Sequence, residues 1–134
     1  MVDVAKSGTP SLSTLAPGGE AWVGSDLKAG VAIAAGDVCY IASTGKVLKS
    51  VGTTTNAAAK AHGIAVKAAA LNEAVTLMRN VDLHYGSGLT PGAPYYVSAT
   101  STGGALADAA STGGTGIVAF AIDGTRIRFV GSNY

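Results

Sequence analysis

From Trp22 onward the chain is cut by Gly, Pro, Asn and Asp into β-prone runs of only three to six residues. Runs that short are too brief for self-supporting helices and suit strands joined by tight turns. They are Val31-Ala32-Ile33, Val38-Cys39-Tyr40-Ile41-Ala42, Lys46-Val47-Leu48-Lys49, Gly63-Ile64-Ala65-Val66, Ala74-Val75-Thr76-Leu77-Met78, Tyr95-Tyr96-Val97-Ser98, Gly116 through Ala121, and Arg126 through Val130. Ser43-Thr44-Gly45 suits a hairpin loop, and Gly36-Asp37 a tight turn. The expected fold class is all-β, a small sandwich or barrel. The competing helical signals, Thr55 to His62 and Lys67 to Asn72, are Ala-rich but short, so each is allowed a single turn. The second also suits the loop of a hairpin between Ile64-Val66 and Val75-Met78.

A weak internal repeat agrees with this reading. Gly36 to Thr44 aligns with Gly92 to Thr100 at an offset of 56, and Gly63-Ile64-Ala65-Val66 with Gly116-Ile117-Val118-Ala119 at an offset of 53. The expected halves span about 30–83 and 84–131 within one β-domain, 27–134. Neither hairpin-then-hairpin unit can bury its apolar face alone. The duplicated Ser-Thr-Gly-Gly around Ala105-Leu106-Ala107-Asp108 reads as a long surface excursion.

Core material is thin. Of 134 residues 48% are hydrophobic, but 25 are Ala, and Leu, Ile, Val and Phe together number 30. The low charged fraction, 13%, still argues for a folded chain rather than a disordered one. The small apolar gain against chain entropy implies that subunit or partner contacts supply further burial. Residues 1–26 form an expected extended N-terminal arm, rich in Ser, Thr, Pro and Gly through residue 20, with Leu12 and Leu15 as its apolar surface.

Several function classes lack support. A net charge of +1 gives no electrostatic footprint for nucleic acid or an anionic membrane. No run is apolar enough for a membrane helix, and the N-terminus lacks a leader pattern, so a soluble chain made in the cytoplasm is expected. Cys39, the single cysteine, lies in an apolar run and reads as a buried, inert thiol. His62 and His84 lie in different segments, and no His, Cys, Asp or Glu set has metal-ligand spacing, so no metal or cofactor is expected. Alternation places Asp82 and His84 on one face, which suits an acid–base pair but reads first as a solvated edge-strand face. The Gly-rich runs at 101–104 and 111–116 lack the Lys-Ser/Thr ending and the following helix of a phosphate loop. With no nucleophile elbow either, no catalytic residue is assigned. Trp22 and the pair Tyr95-Tyr96 are candidate interface anchors, and alternation should bury one tyrosine of the pair and leave the other at the surface.

Ile33 to Tyr40, Gly63 to Ala69, Gly88-Leu89-Thr90-Pro91-Gly92-Ala93-Pro94-Tyr95-Tyr96-Val97-Ser98-Ala99 and Gly116 to Ala121 together resemble the small head decoration, or capsid cement, proteins of tailed bacteriophages. The resemblance covers roughly residues 27–131, and the chain is more Ala-rich in its first half than that family usually is. It implies a non-enzymatic β-protein of the virion that binds the outside of the assembled capsid through the major capsid protein, often as a homotrimer, and stabilises contacts between capsomers. On this reading Leu12, Leu15, Trp22, Tyr95 and Tyr96 are the partner-binding candidates. Two other classes stay open: a phage fibre or tail module that binds a host-surface glycan, and a small hydrolase or isomerase using Asp82 and His84.

Overall fold

The computed structural model describes residues 2–14, 18–22, 27–100 and 102–132, without the side chains of Glu20 and Trp22. It is all-β. Ten strands are described: β1 (Ser11–Leu12), β2 (Gly18–Trp22), β3 (Val38–Ile41), β4 (Val47–Lys49), β5 (Gly63–Ala65), β6 (Leu77–His84), β7 (Pro94–Val97), β8 (Leu106–Ala107), β9 (Ile117–Ala121) and β10 (Arg126–Phe129). They form one curled antiparallel sheet in the order β4-β3-β5-β6-β10-β9-β7-β8, a half-barrel. Read from either end toward the middle, a hairpin is followed by one further strand and then by β6 or β10, so the β6–β10 pair lies at the centre of a mirrored order. Curling brings the two outer ends together: Val38 N–H donates to the Gly104 carbonyl, Gly104 N–H to Ser50 and Gly52 N–H to Ser98.

Alternation along the strands builds two apolar clusters. Val38, Ile64, Val81, Leu83, Tyr85, Val97, Leu106, Val118, Ile127 and Phe129 fill the concave interior. Their neighbours Cys39, Ala65 and Leu77 face the other way, where Ala29, Ile33, Ala69 and Val75 cover them. The outer face of the β3–β5 half is therefore roofed by the chain's own segments around 29–33 and 69–75. The Ile33–Ala69 and Lys28–Ala74 bridges hold that roof.

Three expectations change in detail. Val31-Ala32-Ile33 and Ala74-Val75 form roof bridges rather than strands, because each meets a partner for a single residue. The run 105–108 is no surface excursion: Leu106 and Ala107 are fully buried as β8, since Leu106 is needed to close the interior beside Val97. The strand carrying Asp82 and His84 lies at the sheet's centre, paired with β10 and, through Leu77 and Met78, with β5. It continues through Asn80 in a left-handed conformation (φ 51°), which asparagine tolerates better than most residues. The Ala-rich run 57–59 makes one 3-10 turn, capped by Asn56, whose Oδ1 accepts from the Ala58 N–H at 3.0 Å. The 67–76 stretch is the β5–β6 connection.

The N-terminal arm is laid on its own body. β1 and β2 pair in sequence along β6, Ser11 opposite His84 through Trp22 opposite Leu77, while Val4 N–H donates to Leu106 and Ser7 N–H to Tyr85. An unpaired central strand edge is costly to leave open, and the arm closes it.

Candidate functional site

The outer face of the β7–β9–β10 half differs from its counterpart. Register aligns Pro94, Phe120, Arg128 and Asp82 in one row across β7, β9, β10 and β6, and Tyr96 stands opposite Ile117 in the next. Ile117 is 53% exposed, Phe120 37% and Val130 40%. No described segment covers this face as 29–33 and 69–75 cover the other half, which leaves large apolar side chains in water. Such a surface, bordered by polar groups, is the usual mark of a contact region. Ion pairs lie along its border: Arg128 Nε donates to Asp82 at 2.7 Å and Arg126 Nε to Asp123 at 2.7 Å. The Asp82 hydrogen bond holds the Arg128 pKa above its ordinary value.

This arrangement bears on each candidate residue. Leu12 is 40% exposed on β1, so the arm presents apolar surface although its backbone is paired. Leu15 lies outside the described residues, and so does the Trp22 side chain; the Trp22 backbone pairs with Leu77. The tyrosine pair splits as alternation requires. Tyr95 is buried in the interior cluster opposite Ala119, which removes it as a surface anchor, and Tyr96 is the half-buried member on the outer face. Asp82 is bound to Arg128 and His84 stands in register with Arg126, so each faces an arginine across the sheet.

A second polar constellation sits at the end of the half-barrel, and sequence reading missed it. Asp37, buried after the Gly36 turn (φ 82°), accepts from Lys6 Nζ at 2.7 Å through Oδ1 and from the Ala34 N–H at 2.9 Å through Oδ2, with Lys49 Nζ at 3.9 Å. Asp3 accepts from the hydroxyls of Ser98 and Thr100. Asp3, Lys6, Asp37 and Lys49, with Tyr85, Thr102, Gly103 and Ala105, line a cavity of about 370 Å³. The legible signal was the Gly-Asp turn; that Asp37 turns inward toward an arm lysine is set by the close approach of Gly104, where any Cβ would stand 2.9 Å from the Asp37 carboxyl carbon.

Cys39 and His62 also behave differently from free side chains. Cys39 is fully buried, and burial, reinforced by Asp37, drives its thiol far above the ordinary range, so it is inert as expected. His62 Nδ1 accepts from the Ile41 N–H at 2.8 Å, and desolvation followed by Lys60 lowers its pKa below 6.5. A depressed histidine binds fewer protons in the folded state than in the unfolded one, so stability rises with pH through this window. Unfolding free energy should fall as pH drops below 6.5 and level off once the folded imidazole protonates. Urea titrations at several pH values should show this dependence, and His62→Gln should flatten it; an unchanged slope in the variant would assign the effect elsewhere.

Among the described residues no group of three or more His, Cys, Asp or Glu side chains is placed to hold a metal ion. No described helix is long and apolar enough to cross a membrane. Comparison of the sequence with protein-family models and with curated proteins returns no match.

Proposed function

We propose that this chain is a structural capsid-decoration protein: it binds the outer surface of an assembled phage head through the major capsid protein, as a homotrimer, without catalysis. The observation that carries the reading is the uncovered outer face with Tyr96, Ile117, Phe120 and Val130, on a fold whose other half roofs the equivalent face with its own chain. A low-charge chain with thin core material gains most by burying such a face on a partner, and identical weak contacts add up on a repeating lattice. The exposed Leu12 edge of the arm extends the surface. The resemblance of several sequence phrases to those of decoration proteins points the same way.

Two perturbations test the proposal on shells of the parent virus stripped of accessory proteins. Phe120→Glu alters a side chain 37% exposed, so the fold should persist while occupancy falls by about thirtyfold or more, the loss of one hot-spot residue. Leu12→Glu, at a side chain 40% exposed on β1 that leaves the backbone pairing of the arm intact, should weaken shell binding likewise, and light scattering of the intact chain should give about three times 13.1 kDa. A monomer that ignores shells would overturn the proposal and direct attention to glycan binding.

A further inference from the structure

The roof over the β3–β5 half carries a surface of its own. Its two segments run between the Lys28–Ala74 and Ile33–Ala69 bridges, and each sends one large apolar side chain outward: Val31, 39% exposed, and Leu71, 58% exposed. Leu71 stands further into water than Ile117 or Phe120 of the other half. Ala32, Ala34, Ala68 and Ala70 are exposed around them, and such small neighbours leave the two larger side chains projecting.

The turn that carries Leu71 fixes its position. Glu73 N–H donates to the Ala70 carbonyl at 3.0 Å, and the Glu73 carboxylate accepts from the Ala70 N–H at 2.6 Å. Asn72, left-handed at φ 67°, donates its N–H to the Ala29 carbonyl at 2.8 Å and accepts through Oδ1 from Lys46 Nζ at 2.6 Å. These polar groups hold the turn's shape, and what the turn offers outward is a leucine. A side chain already held in place loses little freedom on binding, which suits an interface anchor.

The surrounding charge selects the partner. Lys28 lies opposite Ala74, Lys46 on Asn72 and Lys67 two residues before Ala69, and among the described residues no carboxylate pairs with any of the three. Both arginines of the β7–β9–β10 face, in contrast, are paired with aspartates. Glu73 is the one carboxylate in the stretches 27–34 and 66–76, so the roof has a positive rim on a chain whose total charge is only +1. A single exposed leucine is ordinary, whereas an apolar pair ringed by unpaired lysines is complementary to an apolar depression bordered by carboxylates.

We infer that the roof is a second protein-docking surface, separate from the β7–β9–β10 face, through which Val31 and Leu71 enter an apolar depression bordered by Asp or Glu. The inference rests on the decoration reading, in which that acidic surface belongs to the shell and each copy holds the shell at two chemically different places.

Binding of the full-length chain to stripped shells tests this. Leu71→Ser alters an exposed side chain outside the core, so its melting temperature should hold while shell binding weakens about tenfold. Lys28→Glu combined with Lys67→Glu, both at exposed positions, should weaken binding by a similar factor at low ionic strength and much less in about 1 M salt, where the charges are screened. Wild-type affinity in both variants, with Phe120→Glu still impaired, would overturn the second surface and leave the decoration reading standing. An intact chain that ignores shells would overturn both. Loss in the charge-reversed variant alone would mean a polyanion with no apolar contact, and tighter binding by that variant would mean a basic partner; either result would overturn the inference.

Discussion

Replacing Phe129 with alanine is expected to lower the unfolding free energy by about 3–5 kcal/mol, the cost of truncating a fully buried aromatic ring. Phe129 is 0% exposed on β10, between Val81 of β6 and Ala119 of β9, and thus packs at the seam where the two halves of the sheet join. Among the described residues Tyr85 is the only other aromatic of the largest fully buried side chains, and much of the remaining core is Val and Ala. Small neighbours cannot move far enough to fill the space a ring leaves, so the cavity term adds to the lost transfer energy. Against a total stability of about 5–15 kcal/mol for a domain of this kind, the variant should be marginal at 25 °C. Urea denaturation followed by tryptophan fluorescence would read the change as a lowered midpoint with an unchanged slope. A loss below about 1 kcal/mol would mean that the seam collapses around the gap, and that the interior is far more plastic than the packing implies.

Asp37→Ala should give the second largest effect, about 3 kcal/mol, the lower end of the range for removing one partner of a buried ion pair. The carboxylate is 7% exposed, whereas Lys6 and Lys49 are each 26% exposed, so the abandoned ammoniums regain part of their hydration and the loss stays below the full range. Alanine also strands the Ala34 N–H, which Oδ2 now accepts. Asp37→Asn keeps an acceptor for that N–H and fills the space beside Gly104 while removing the charge, so it should cost clearly less. Hydrogen exchange adds a local signature: because Lys6 belongs to the arm, amides of residues 4–7 should exchange faster in the alanine variant, beginning with those bonded to Leu106 and Tyr85. Equal losses in the two variants, with no change in arm exchange, would assign the effect to packing at the turn and not to the charge.

The elements legible in the sequence are those whose causes are local. Val38–Ile41, Val47–Lys49, Pro94–Val97 and Arg126–Phe129 are strands because alternating apolar side chains sit between Gly, Asp and Pro that stop any longer element. The tyrosine pair separates into Tyr95 inside and Tyr96 outside for the same reason, a two-residue period. The Gly36-Asp37 turn and the single turn at Ala57–Ala59 are likewise consequences of a few neighbouring residues.

What tertiary structure decided is which partner each piece meets. Leu106 and Ala107 look like part of a Gly-rich loop until Val97 and Tyr96 take them as a strand. Asp82 and His84 look like a free polar face until β10 places Arg128 and Arg126 opposite them. The arm reads as a separate extended segment, yet the edge of β6 binds it through β1 and β2. The charged cavity is the extreme case: Lys6 and Asp37 are 31 residues apart and Tyr85 lies further still, with no periodic pattern linking them. Side-chain period and turn chemistry act over a few residues and are written in the sequence directly. Strand order and register are settled by burial and backbone pairing over the whole chain, and those exist only once the sheet has curled.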